Sequence, residues 1–122
     1  LPSDWIFVKN GGEVEPADSW PARFSYDAIR IPLYLSLSEM HQYSMDNFRH
    51  FWANYSRNAT PAWVDVSGDG QANYDMSGGI LAVRDLTMGD YQRMDKSLHP
   101  GEGYYLSALH MLSLFAASLK GY

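Results

Sequence analysis

Ser25-Tyr26-Asp27-Ala28-Ile29-Arg30, running on into Ile31-Pro32-Leu33-Tyr34, decides how this chain is read. The stretch sets a carboxylate, a phenol and a guanidinium just ahead of an apolar run that must be buried. Asp27 and Arg30 are three apart, so in a helix they share a face. A carboxylate beside a guanidinium is favoured in its charged form, which suits it to accept a proton rather than to give one. Pro32 lacks an N–H and crowds the carbonyl four residues back, that of Ala28. An irregular first turn presenting Tyr26 and Asp27 at a helix mouth is therefore expected. Two uses of the pair stay open on these residues alone. Asp27 and Arg30 can form an ordinary helix cap and surface ion pair, or Asp27 can be a working carboxylate in a site.

The rest of the composition narrows the field. At 122 residues the chain fits one domain. Its 9 Lys and Arg against 14 Asp and Glu give a net charge of −5, which argues against a nucleic-acid partner. No run is apolar for long enough to span a membrane. The opening Leu1-Pro2-Ser3-Asp4 has neither the charged nor the apolar region of a signal peptide, so a soluble chain is expected. Cysteine is absent, which excludes disulfides, thiolate metal sites and cysteine nucleophiles. Four Trp and nine Tyr supply flat rings of the kind that line carbohydrate clefts. The chain does not begin with Met, so a processed chain or a piece of something longer is expected.

In chain order, Asp4-Trp5-Ile6-Phe7-Val8-Lys9 followed by Asn10-Gly11-Gly12 predicts a short strand and a hairpin turn. Glu13 to Pro21 reads as a loop that delivers Trp20 ahead of Asp27, either as a platform for a sugar ring or as a loop anchor. A first helix is predicted from Tyr26 to about Leu37, buried on all sides after Arg30. A second, amphipathic one is predicted from about Met40 to Tyr55, with His41 and His50 on its solvated face. Residues 56–75 read as loop. Within them Asp65-Val66-Ser67-Gly68-Asp69-Gly70 opens like a calcium loop, but Met76 stands where such a loop needs a bidentate carboxylate, so a polar turn is expected. Asn54 and Asn58 lie in sequons, which matter only if the source glycosylates secreted proteins. A third helix is expected from Tyr74–Ser77 to about Met88, then a polar connection or short helix over 89–98. A last helix is expected from Tyr104 to Leu119, opened by Pro100 and Glu102 and stopped by Lys120-Gly121. The expected fold class is mainly α, helices in hairpins with a small β-hairpin near the N-terminus.

Leu1-Pro2-Ser3-Asp4-Trp5, the stretch from Ser25 to Ile31, Val64-Asp65-Val66 and the closing Tyr104-Tyr105 helix together resemble the C-terminal part of glycoside hydrolase family 8. The chain is similar in particular to the endoglucanases that accompany bacterial cellulose synthases. The resemblance implies part of an (α/α)6 barrel whose cleft binds β-1,4-glucan, and hydrolysis of internal bonds with inversion. Carried over, it makes Asp27 the general base, places Tyr26 beside the water and the reacting sugar, and has Arg30 orient Asp27 or the glucan. Trp20 and Trp5 are the further candidate substrate-binding residues. With the resemblance added, the working reading of Asp27 is favoured over the cap.

The family's general acid lies in a Ser-Glu-Gly type segment in its N-terminal half, and this chain has none; Ser38-Glu39-Met40 follows the base and lacks the glycine. Residues 1–122 are thus expected to be one C-terminal segment of such a domain, with the N-terminal half of the enzyme as its partner alongside the glucan. No cofactor and no metal are implied, and the resemblance implies a periplasmic or secreted enzyme. The alternatives are a non-catalytic carbohydrate-binding fragment, in which Trp5, Trp20 and Tyr26 stack on glucan, and a helical interaction fragment that buries residues 31–37 and 104–119 against a partner.

Overall fold

Apolar residues spaced by three and four build most of the secondary structure in the computed structural model, which describes residues 1–38 and 45–122. Among them the order is β1 (Ile6–Val8), β2 (Val14–Pro16), β3 (Arg23–Phe24), α1 (Arg30–Leu37), α2 (Met45–Trp52), β4 (Val64–Asp65), α3 (Gly78–Met88) and α4 (Tyr104–Leu119). Short 3-10 turns lie at Arg57–Ala59 and Tyr91–Arg93. The chain is mainly helical with small β elements, as expected. Of the predicted second helix, residues 40–44 lie outside the described residues, as do Glu39 and His41.

The predicted hairpin forms, but its return strand lies in the stretch read as loop. β1 pairs antiparallel with β2, Phe7 opposite Glu15. Gly11-Gly12 just before it and a proline as its own last residue hide so short a strand from a reading by composition. The predicted 56–75 loop likewise contains β4, whose Val64 and Asp65 pair with Phe24 and Arg23 of β3. Its calcium-like stretch is a tight turn in which Asp65 N–H donates to the Gly70 carbonyl at 2.8 Å. The Asp65 carboxylate faces Arg23 at 3.7 Å.

α1 begins at Arg30, four residues later than predicted, and Pro32 explains the shift. In the first turn of a helix a missing N–H costs nothing, because that group has no partner within the helix. The Ala28 carbonyl that Pro32 could not serve accepts from Ile31 N–H instead, at 3.0 Å. Residues 25–29 are therefore a chain of turns, as Pro32 suggested. α1 is not buried on every side: Pro32, Leu33 and Ser36 face inward, whereas Ile31 and Tyr34 are exposed. It packs against α3, α4 and α2.

α2 carries Asp46 in its first turn and Arg49 and His50 in its last, the charge order that a helix dipole favours. It stops at Trp52 rather than Tyr55, where the Asn54 side-chain amide donates to the carbonyls of His50 and Phe51. Its Phe48 and Trp52 meet Phe24 of β3 with ring centroids 5.7 and 5.9 Å apart. That aromatic cluster joins Leu33, Val83, Leu86 and Leu109 in one core.

α3 is the central element and packs most extensively on α4. Gly79 permits this approach, since a Cβ there would lie 2.0 Å from the Leu106 carbonyl oxygen. Gly89 ends α3 in the left-handed region at φ 75°, with Asp90 N–H reaching back to the Asp85 carbonyl at 2.9 Å. α3 also buries charge. Asp85 is gripped bidentately by Arg57 at 2.9 and 2.7 Å and touched by Arg84 at 3.3 Å. Arg84 in turn binds Asp90 at 2.7 Å. This network fixes the Arg57–Ala59 turn against α3.

Candidate active site

The turn from Ser25 to Ile29 projects Tyr26 and Asp27 from the N-terminal end of α1, and Arg30, the first residue of α1, folds back over it. Arg30 Nε donates to the Asp27 carbonyl at 3.2 Å, and its terminal nitrogen lies 3.4 Å from Asp27 Oδ1. The shared face predicted from the spacing is formed. Among the described residues only Oδ1 of that carboxylate is engaged. The Asp27 side chain is 47% exposed and that of Arg30 43%, so the pair stands open to solvent.

Asp4 is the residue that the sequence reading left without a role. Its Oδ1 accepts the backbone N–H groups of Ser25, Asp27 and Ala28 at 3.0, 3.2 and 2.7 Å. The cap of this turn is thus Asp4, more than twenty residues upstream, and Asp27 is left free of that duty. Tyr74 and Tyr105 were likewise given no site role. The Tyr26 and Tyr74 hydroxyls are hydrogen-bonded at 2.7 Å, and the Tyr105 hydroxyl donates to the Tyr26 carbonyl. Burial, reinforced by the bond to Tyr74, pushes the Tyr26 phenol up to about 12. The Tyr105 phenol is also raised, chiefly by burial; the Arg30 charge opposes this and Asp27 adds to it. Both phenols are neutral hydrogen-bond donors at ordinary pH. Tyr104-Tyr105 and the Ser3-Asp4-Trp5 segment were visible in the sequence as parts of a resemblance, but the contacts they make run to backbone atoms, which no residue pattern spells out.

Trp5 and Trp20 stack on one another, centroids 4.5 Å apart and planes 13° from parallel. Each gives one face to the other and stays about half exposed. Trp20 is therefore paired with Trp5, not packed alone in its loop. The two join the Asp27 turn through Asp4, the neighbour of Trp5. The structure thus gathers Tyr26, Asp27 and Arg30 on one turn, with Trp5 and Trp20 as a separate ring pair attached through Asp4.

Among the cavities of the described residues, two lie at the start of α3. One of about 390 Å³ is lined by Arg57, Asp85, His99 and His110, and one of about 500 Å³ by Ser77, Glu102 and Leu106. Neither includes a residue of the Asp27 turn. Glu102 is occupied at the start of α3, where it accepts from Gly79 N–H. Glu15 pairs with Lys9 at 3.3 Å. Among the described residues, no helix is long and apolar enough to cross a membrane.

Comparison with known proteins places this arrangement in a family. The profile of "Glycosyl hydrolases family 8" matches residues 1–118, and the chain belongs to that family. An endoglucanase of Cellulomonas uda is 47% identical over 90 residues, which are 74% of this chain and 25% of that protein. A family 8 endo-β-1,4-glucanase from an Achatina fulica gut metagenomic library superimposes with a TM-score of 0.88 at 44% identity, over 97% of this chain and 37% of its own. A family 8 endoglucanase of Klebsiella pneumoniae superimposes with a TM-score of 0.90 at 40% identity, over 98% of this chain and 38% of its own. The chain therefore spans between a quarter and two fifths of the length of these relatives, and its helices form part of the family's (α/α)6 barrel.

Proposed function

We propose that the chain is the base-bearing, C-terminal segment of an inverting endo-β-1,4-glucanase. The observation that carries this reading is Asp27: a carboxylate fixed through its backbone, held by Arg30 at one oxygen and about half exposed, on the same turn as the Tyr26 phenol. Asp27 takes a proton from water as the water oxygen bonds to the anomeric carbon, and the glycosidic C–O bond on the opposite face breaks. A carboxylic acid supplied from outside this segment gives its proton to the departing sugar oxygen. An inverting pair needs its two carboxyl groups about 6.5–9.5 Å apart, leaving room for the water. Glu15 pairs with Lys9 and Glu102 accepts from Gly79 N–H, and among the described residues neither is hydrogen-bonded to the Asp27 turn. The N-terminal half of the enzyme is the proposed source of that acid and of the opposite wall of the cleft.

In this reading Tyr26 donates toward the water or the reacting sugar, Arg30 holds Asp27, and the Trp5–Trp20 pair offers its outer faces to glucan rings. The exposed apolar stripe of α4, through Tyr104, Met111, Phe115 and Leu119, is the contact surface for the N-terminal half. A periplasmic or secreted location goes with a polymeric glucan substrate. The stereochemistry of the first product tests the mechanism. Proton NMR of cello-oligosaccharide cleavage by the full-length enzyme should show the α-anomer first. A β-anomer would make Asp27 a nucleophile or a bystander and overturn the base assignment.

A further inference from the structure

Asp4 holds the turn that carries Asp27, yet the mechanism above gives it nothing to do. One oxygen, Oδ1, collects three backbone N–H donors, from Ser25, Asp27 and Ala28. Asp4 N–H in turn donates to the Arg23 carbonyl at 2.7 Å, so the N-terminal segment is tied to the chain on both sides of Phe24. Three N–H groups converge there because the turn directs them outward, as the first turn of a helix does. A carboxylate answers them with charge-assisted bonds, roughly twice as strong as neutral ones.

The grip is completed from the other side. Arg30 Nε takes the Asp27 carbonyl at 3.2 Å, and Tyr105 takes the carbonyl of Tyr26. The backbone on either side of the Asp27 side chain is thereby assigned: its N–H to Asp4, its carbonyl to Arg30, the preceding carbonyl to Tyr105. The side chain itself is held at Oδ1 by the Arg30 terminal nitrogen, at 3.4 Å.

We propose that Asp4 is the positioning residue of Asp27, a carboxylate that touches no substrate and instead fixes the distance from the base to the water it deprotonates. This rests on the reading of Asp27 as general base. Displacing a catalytic group by about 1 Å can cost about 10²-fold in rate, and loss of three bonds to one turn permits such a displacement.

The test is a double-mutant cycle in the full-length enzyme, reading kcat and KM on a soluble cello-oligosaccharide for wild type, Asp4→Ala, Asp27→Asn and the double variant. Asp4→Ala should lower kcat by about 10²-fold with little change in KM. On the Asp27→Asn background the same change should have no further effect, because residues that act as a unit are not additive. A residual rate lowered by the same factor on both backgrounds would show that Asp4 acts on the fold at large and would overturn this inference, leaving the base assignment intact. Near wild-type turnover in Asp27→Asn would overturn the base assignment itself. If Asp4→Ala is not recovered folded, Asp4→Asn carries the same cycle: it keeps an acceptor oxygen without the charge, so a smaller loss in kcat is expected, again confined to the Asp27 background. Unchanged kcat in Asp4→Asn, or an equal loss on both backgrounds, would overturn the proposal.

Discussion

Tyr26 remains a phenol well beyond the range in which free tyrosine ionises, and this has a consequence for stability. Its value in the fold, about 12, lies above the unfolded value of 10.0. The folded state therefore holds the proton more tightly, and the stabilisation is fully present below pH 10 and lost as pH rises towards about 12. The melting temperature should fall through that alkaline window, and Tyr26→Phe should make the fall shallower. Equal slopes in the two proteins would remove Tyr26 from the effect. Arg30 is a different case. A half-exposed ion pair contributes about 0–1 kcal/mol, so Arg30→Lys should change unfolding free energy by less than about 1 kcal/mol. Lysine has no planar fork to bind the Asp27 carbonyl and carboxylate together. A several-fold drop in kcat without a matching loss in denaturant midpoint is therefore expected, and a loss of stability with unchanged turnover would reverse that assignment.

At the scale of elements, the α3–α4 contact and the Asp85 network bear most directly on the frame that holds the site. A methyl group at Gly79 would collide with backbone rather than a movable side chain, at 2.0 Å from the Leu106 oxygen. Gly79→Ala should cost about 1–3 kcal/mol, the range for overpacking. Asp85→Ala would take from Arg57 its bidentate partner and from Arg84 one of its two carboxylates, and should cost about 3–5 kcal/mol; a chemical denaturation curve checks both. These elements were largely legible in the sequence. α4 runs from Tyr104 to Leu119 as its apolar pattern, Pro100 and Lys120-Gly121 foretold, and α3 ends at Met88 because Gly89 follows. Legibility fails where structure is made by distant partners. The β3–β4 pairing joins two residues to two others forty positions away and leaves no periodic trace. Pro32 announced an irregular turn before α1, but the helix start four residues later was set by which carbonyls the turns 25–29 could serve. The site was readable in part for the same reason. Tyr26, Asp27 and Arg30 lie within five positions of one another, whereas Asp4, Tyr74 and Tyr105 arrive by folding and act on backbone atoms or on another phenol.

On the scale of the whole molecule, an apolar surface remains uncovered. Tyr104 is 91% exposed, and Met111, Phe115 and Leu119 continue its stripe along α4 at helical spacing. Contiguous apolar surface of this kind marks an interaction site in soluble proteins. The isolated segment should associate with itself or bind a hydrophobic dye, and Phe115→Glu should reduce both. In the full-length enzyme the same substitution should lower stability, because the stripe is proposed to be buried there; a stabilised or unaffected full-length enzyme would show that α4 faces solvent. The same proposal explains why Asp27 stands on an open surface: the opposite wall of the cleft and the acid that completes the pair belong to the remainder of the barrel. The account's central claim is that Asp27 removes the proton from the attacking water, and kcat of Asp27→Asn in the full-length enzyme, measured beside its glucan affinity, tests it most directly. Turnover should fall by about 10²–10⁴-fold, the contribution of a positioned acid or base, with binding retained. Turnover within a few-fold of wild type would contradict it.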